Sequence, residues 1–163
     1  ITSGGLGAMG FEVPAAMGAK VACPDKMVWA ICGDGGFQMT MCDLATIVEN
    51  KINVKFALMN NHFLGMVRQW QHLFYQDTFY ATQYTANPDF VKLAEAFGLY
   101  ALRVMDKSQV ASAIQSAMAY DGPALIDFQV DPGENVYPMI PPGESVGEIM
   151  EEPAPVEETT WSR

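Results

Sequence analysis

Positive charge is what this sequence most lacks: nine Lys+Arg stand against nineteen Asp+Glu, a net charge of −10. Phosphate backbones are bound by basic faces, so nucleic acid is a poor partner. Long apolar runs are missing too. None approaches the about 18 residues of a membrane span, and no signal peptide is visible. Cysteine is scarce, with Cys23, Cys32 and Cys42 widely spaced, no CxxC pair and no histidine nearby. An odd, scattered set gives neither a disulfide framework nor a metal site, and reads as buried free thiols in a reducing, cytoplasmic setting. No serine lies in a GxSxG elbow, which argues against a hydrolase triad. His62 and His72 show no plausible Asp or Cys partner, and Asp25, Lys26, Lys51 and Lys55 read as solvated loop charges.

What is present fits one domain with an appendage. The chain has 163 residues, 50% of them apolar and 17% charged. A chain of this size buries roughly 70% of its unfolded surface and needs no disulfide or metal staple. It begins at Ile1 rather than Met, and is read as a piece of something longer. Charge is uneven: residues 133–163 hold seven acids and one base, and five of the ten prolines. Pro138 to Gly143 reads as extended chain, and Glu151 to Thr160 has almost nothing apolar to bury. The body is therefore placed at 1–132 and an acidic, Pro-rich tail at 133–163.

Within the body, short apolar runs alternate with helical patterns. Val13–Ala22 is a small-residue helix, with Pro14 acceptable only near its start. Met27–Cys32 and Val54–Met59 read as buried strands, with a helix over Met41–Val48 between them. Asn87-Pro88-Asp89 looks like an N-cap with proline at the first helical position. Phe90, Leu93, Ala94 and Phe97 then share one helix face, and Gly98 closes it. Tyr100–Val104 is a further strand, Ser108 caps a helix to about Tyr120, and Ala124–Val130 is the last strand. This alternation predicts an α/β fold: three layers, with a mostly parallel sheet between helices.

Ligands of such sheets bind outside the carboxyl ends of the strands. Three segments are candidates for that edge: Gly4 to Gly10, then Gly33-Asp34-Gly35-Gly36 after one strand, then Asn60-Asn61 after the next. Gly5-x-Gly7-x-x-Gly10 matches a dinucleotide fingerprint. That motif needs a strand directly before it and a lone acid about 20 residues on, and neither is evident, so turn glycines are the better account. The other two segments gain meaning together. Neighbouring strands lie about 4.8 Å apart, so Asp34 and Asn61 can share one small ion, with a backbone carbonyl in the next turn as a third ligand. Hard oxygen donors completed by phosphate oxygens suit Mg²⁺. Gly33, Gly35 and Gly36 leave backbone N–H groups open to an anion, toward which the next helix points its positive end. An ordinary glycine turn and an Asx turn would explain either segment alone.

Gly33-Asp34-Gly35, 24 residues, then Asn60-Asn61 resembles the thiamin-diphosphate motif. TSGGLGAMGF, GDGGFQMT, LGMVRQWQ, NPDFVKLAEAFG and YPMIPPG resemble one branch of those enzymes, the acetolactate synthase (acetohydroxyacid synthase) catalytic subunits, in their C-terminal cofactor domain. The likeness runs from Thr2 to about Gly143. Glu12 departs from it where a small residue is common, as does His62-Phe63 where smaller or more polar residues are usual.

The resemblance implies thiamin diphosphate and Mg²⁺ as cofactors. Asp34 and Asn61 would bind Mg²⁺ through side chains and Phe63 through its main chain. Gly33, Gly35 and Gly36 would hold the diphosphate. Gly7, Met9 and Met39 would line the cofactor pocket, continued by Leu64, Gly65, Met66 and Val67. Met66 would wedge under the cofactor, and Trp70 would shape the pocket for a second 2-keto acid; core packing is the ordinary use of such residues. The implied reaction decarboxylates pyruvate and ligates its two-carbon unit to that second 2-keto acid, toward branched-chain amino acids. The catalytic glutamate would come from the N-terminal domain of a partner catalytic subunit, and FAD would bind mainly to a middle domain, so this chain alone is expected to be inactive. Whether a regulatory small subunit attaches stays open. A pyruvate oxidase or other keto-acid carboligase, and a non-catalytic subunit of a split decarboxylase, are the alternatives.

Overall fold

A computed structural model describes residues 1–153. The expected mobile stretch from Glu151 to Thr160 lies mostly outside the described residues. The elements are α1 (Glu12–Ala22), β1 (Val28–Gly33), α2 (Asp34–Thr40), a 3₁₀ turn (Met41–Asp43), α3 (Leu44–Glu49), β2 (Val54–Asn60), α4 (Gly65–Phe74), α5 (Phe90–Phe97), β3 (Tyr100–Val104), a 3₁₀ turn (Lys107–Gln109), α6 (Val110–Ala119), β4 (Ala124–Gln129) and a last 3₁₀ turn (Val146–Glu148). The four strands form one sheet in the order β1-β2-β4-β3, every pair parallel. The α/β prediction holds.

Strand periodicity sorts the side chains between two faces. Ala30 and Cys32 of β1, Val54, Phe56 and Leu58 of β2, and Leu125 of β4 point to one face. There they pack with Val13 and Ala16 of α1, Phe37 of α2, Leu44 and Ile47 of α3, and Phe90 and Ala94 of α5. Phe37 sits edge-on to both Phe56 and Phe90, with ring centroids 6.0 and 5.9 Å apart. Each such pair adds about 1 kcal/mol beyond the area it buries. The other face is covered unevenly. Ala113 and Ala117 of α6 pack on Val104, Ala124 and Ile126, while Ile31 of β1 remains 65% exposed.

Several local expectations shift. Asp89, not Asn87, caps α5: its carboxylate accepts from the Lys92 N–H at 3.3 Å. Gly98 does close that helix, at φ +93°. Asp106 with Gln109, not Ser108, forms the cap before α6, because the carboxylate takes both the Ser108 N–H and its hydroxyl. Lys55 is no loop charge. It is fully buried in β2, and its ammonium donates to the carbonyls of Tyr120 and Gly122, where helix α6 ends. Desolvation lowers its pKa from the usual lysine value. Of the cysteines only Cys32 is buried; Cys23 and Cys42 are exposed. His72 does have an acidic partner, Asp77, at 2.6 Å. The segment before α1 forms a turn rather than a strand, so the dinucleotide fingerprint has no βαβ setting.

The tail after β4 folds back on the body. Gln69 of α4, 2% exposed, donates to the Val136 carbonyl at 2.9 Å and accepts from its N–H at 2.8 Å. Met139 and Met150 exchange two backbone hydrogen bonds, closing the tail into a hairpin-like arm.

Candidate cofactor site

Register brings the two key segments level. Gly33 pairs with Met59, so Asp34 leaves β1 where Asn60 and Asn61 leave β2. A cleft of about 540 Å³ opens there. Of the residues singled out in the sequence, Gly7, Met9, Gly33, Asp34, Gly35, Gly36, Asn61, Phe63, Leu64, Gly65, Met66 and Val67 line it. Met39, on α2, and Trp70, on α4, do not; they are 57% and 40% exposed, and Trp70 packs edge-on against Phe74. A larger, more apolar hollow of about 780 Å³ lies on the sheet face between Trp29, Ile31 and α6, adjoining the cleft through Ile31 and Met59 but lined by none of the glycine turns. Size therefore does not locate the site; chemistry does.

Asp34 is 1% exposed. Its Oδ1 accepts from the Gly35 N–H at 3.0 Å and its Oδ2 from the Asn87 amide at 2.7 Å. No lysine or arginine pairs with it among the described residues. Burial pushes its pKa above the ordinary aspartate value, against the opposing pull of Asn87, the Gly35 and His62 backbone N–H groups and the His62 charge. A buried carboxylate without a cationic side chain is costly unless a cation arrives to pair it.

The loop after β2 is fixed by a short antiparallel pairing. Leu64 N–H donates to Thr82 and Tyr84 N–H to His62, which frames Phe63 opposite Gln83. Asn61 Oδ1 accepts from the Phe63 N–H at 3.1 Å, an Asx turn. That oxygen keeps a second lone pair, and the Phe63 carbonyl is left out of the pairing. His62 between them has φ +60°, a conformation bulky residues seldom take, and one that marks constrained loops.

A side chain at Gly35 would push into three others that meet over this turn. A Cβ there would lie 2.6 Å from the Tyr84 hydroxyl and 3.2 Å from both Leu64 Cδ2 and Met9 Cε. Tyr84, which the sequence did not single out, has its pKa raised by burial and then by Asp34. Glu12 also faces the cleft, its Oε1 occupying the space a side chain at Gly36 would need.

One carboxylate, one amide oxygen and one free carbonyl form an all-oxygen donor set suited to a hard divalent cation. No group of three or more His, Cys, Asp or Glu gathers among the described residues. A metal here would take the rest of its shell from water or from the oxygens of a bound anion. The glycine-lined wall of the cleft offers the anion room to approach.

The network behind Asp34 has no local sequence signature. Asn87, expected at the helix cap, instead bridges Asp34 and Asn60 with its amide group, while its oxygen accepts from Gln38 at 3.2 Å. Asn60 in turn donates to Asp127 at 3.0 Å, and Asp127 pairs with Arg103. Only an asparagine ahead of a proline was visible in the sequence, a signal that points to a turn.

Comparison with known proteins agrees with this geometry. Residues 1–128 match the family described as thiamine pyrophosphate enzyme, C-terminal TPP binding domain. The chain is 46% identical over 151 residues to the acetolactate synthase isozyme 2 large subunit of Escherichia coli, covering 93% of this chain and 28% of that protein. It is 51% identical over 155 residues to an acetolactate synthase of Mycobacterium bovis, covering 92% and 25%. It thus spans about a quarter of the length of these relatives. Among solved structures, a thiamine diphosphate-dependent 4-hydroxybenzoylformate decarboxylase from Rhodococcus jostii superposes with a TM-score of 0.71 at 31% identity, over 77% of this chain and 24% of that one. The chain belongs to the thiamine pyrophosphate enzymes, and its residues 1–128 are their C-terminal TPP-binding domain.

Proposed function

We propose that this chain is the cofactor-binding portion of an acetolactate synthase large subunit. It would act in decarboxylating pyruvate and ligating the two-carbon unit to a second 2-keto acid, in branched-chain amino-acid synthesis. The observation that carries the reading is Asp34: a buried carboxylate, unpaired by any described cation, facing a glycine-lined cleft beside Asn61 and Phe63. The acetolactate branch is favoured because those relatives are 46–51% identical, against 31% for the decarboxylase.

Asp34 and Asn61 would hold Mg²⁺ by side-chain oxygens and Phe63 by its carbonyl. Gly33, Gly35 and Gly36 let the diphosphate approach the backbone. Thiamin diphosphate, when bound, supplies the electron sink for the charge left as carbon dioxide departs. Gly7, Met9 and Leu64 to Val67, which line the cleft, would surround it, with Met66 as its apolar support. Met39 and Trp70, outside the cleft in this chain, meet substrate or cofactor only where a partner surface closes over them. The body at 1–132 is the cofactor domain and 133–163 an accessory arm. The N-terminal domain of a second catalytic subunit and FAD complete the enzyme.

The test is a chimera in which this chain replaces the matching quarter of the Escherichia coli large subunit. Acetolactate should form from pyruvate, dependent on thiamin diphosphate and Mg²⁺, and Asp34→Ala should abolish it. Turnover of pyruvate without ligation would place the chain in another branch. Turnover indifferent to thiamin diphosphate would overturn the reading, and acetolactate formed by the 163-residue chain alone would contradict the half-site.

A further inference from the structure

Asp34 is approached from two sides. The cleft lies on one. On the other, a small polar pocket of about 290 Å³ holds Asn60, Asn87, Asp89, Arg103 and Asp127. Asn87 reaches Asp34 from this rear side and does not line the cleft. Its Nδ2 donates to Asp34 Oδ2 at 2.7 Å and to Asn60 Oδ1 at 3.2 Å, using both amide hydrogens. Its Oδ1 accepts from Gln38 Nε2 at 3.2 Å, and the same Gln38 nitrogen is 3.2 Å from the Asp34 carbonyl.

The amide cannot be turned over without penalty. A flip would set oxygen against the Asp34 carboxylate and the Asn60 Oδ1, and NH₂ against the Gln38 NH₂, three mismatched contacts in place of three hydrogen bonds. The backbone of Asn87 is held as well. Two residues on, Asp89 caps α5 and is gripped by the Arg103 guanidinium at 2.5 Å. Arg103 also donates to Asp127 at 3.0 Å, and Asp127 accepts from Asn60, the other acceptor of Asn87. A closed circuit results, running over the carboxyl ends of β2, β4 and β3 and back through the start of α5.

Both oxygens of Asp34 are therefore held, Oδ1 by the Gly35 N–H and Oδ2 by Asn87, with the His62 backbone N–H also directed at the carboxylate. Such a two-point hold stops rotation of the carboxylate and leaves the remaining lone pairs in set directions. We propose that Asn87 is a positioning residue for the cation: its side-chain amide orients the Asp34 carboxylate toward the cleft, and the Asn60–Asp127–Arg103–Asp89 circuit anchors it. The inference rests on the reading of Asp34 as the Mg²⁺ ligand. Partners that orient a ligand in this way change metal affinity by about 10–100-fold when removed.

The experiment uses the full polypeptide expressed from its own gene. Thiamin-diphosphate binding is followed by calorimetry as a function of Mg²⁺, and the Mn²⁺-loaded protein by electron paramagnetic resonance. Asn87→Ala should raise the half-saturating Mg²⁺ about tenfold or more and broaden the Mn²⁺ signal, while saturating Mg²⁺ restores cofactor affinity. Gln38→Ala, which frees the Asn87 oxygen and the Asp34 main-chain carbonyl but leaves both donors on the Asp34 carboxylate, should shift it a few-fold. Where Asn87→Ala fails to fold, Asn87→Ser takes its place with the same expected direction. Asp34→Ala separates the two ideas. Its failure to alter Mg²⁺-dependent binding, or no binding by the parent protein, overturns the reading of Asp34 and this inference together. Loss on Asp34→Ala with an Asn87 variant within twofold of the parent in Mg²⁺ dependence overturns only the inference. So does a loss in the Asn87 variant that excess Mg²⁺ does not restore.

Discussion

Asp34 and Asp127 are two buried aspartates at the same end of one sheet, and they are treated in opposite ways. Asp127, 0% exposed, accepts from Asn60 and Gln129 and is paired with Arg103. Asp34, 1% exposed, has neutral donors and no cationic side chain among the described residues. Both strands deliver a carboxylate to a similar depth, so burial alone does not separate structural from functional acids. What separates them is whether the fold supplies the compensating charge. At Asp127 it does, and the pair ties β3 to β4 and, through Asp89, to α5. At Asp34 it does not, and the open side faces a cleft of about 540 Å³.

The sharpest way to break the comparison is the same isosteric change at both positions. Asp34→Asn should cost at least a hundredfold in Mg²⁺-dependent thiamin-diphosphate binding, read by calorimetry, while the thermal midpoint of the cofactor-free protein holds or rises. Asp127→Asn should do the reverse. It strips Arg103 of its buried partner and should cost about 2 kcal/mol in urea unfolding, less than for a wholly buried pair because Arg103 is 38% exposed. Its effect on half-saturating Mg²⁺ should stay under tenfold. Matching losses at both sites would erase the distinction.

pH sharpens it further. The Asp34 carboxyl is raised by burial, so in the cofactor-free protein its contribution is present below the ordinary carboxylate range and lost as pH rises toward its elevated folded value. The stability difference between parent and Asp34→Asn should therefore shift against the parent as pH climbs through that window. Mg²⁺ with cofactor should reverse the trend, because the cation selects the ionised form. At Asp89 burial pushes upward, but the Lys92 N–H and Arg103 outweigh it and hold the pKa below the usual value. Its contribution is present at neutral pH and lost as acid carries the solution through its lowered folded value. The smallest effect expected is from Asp89→Ala, a slightly lower urea midpoint through the lost helix cap.

Much of the fold was legible because its signals are local. β3 falls on Tyr100–Val104 as the apolar run indicates, and Gly98 ends α5 as its left-handed conformation requires. Of the twelve cleft residues, Gly33, Asp34, Gly35, Gly36 and Asn61 were legible from the turns that follow two strands, while Gly7, Met9, Phe63 and Leu64 to Val67 came from the family resemblance. Helix α4 does carry an apolar stripe at helical spacing (Met66, Val67, Trp70, Leu73 and Phe74), but most of that stripe is exposed and the polar Gln69 is its buried residue, so the pattern does not mark a core-facing helix. Lys55 was misplaced because its charge suggests solvent, whereas the carbonyls of Tyr120 and Gly122 that receive it lie 65 and 67 residues away. Asn87 was misread for the same reason. Its partners at Asp34 and Asn60 are 53 and 27 residues distant, and no local pattern encodes an amide aimed at the back of a carboxylate. Met39 and Trp70 came from resemblance, and their exposure shows that this chain alone does not enclose them.

The most direct test is a crystal structure with thiamin diphosphate and Mn²⁺ in place of Mg²⁺, the ion located by its anomalous signal. The account predicts one peak at about 2.1–2.2 Å from Asp34 Oδ, Asn61 Oδ1 and the Phe63 carbonyl, bridged to the diphosphate. A peak elsewhere, or a diphosphate bound away from Gly35 and Gly36 with Asp34 uncoordinated, would contradict it.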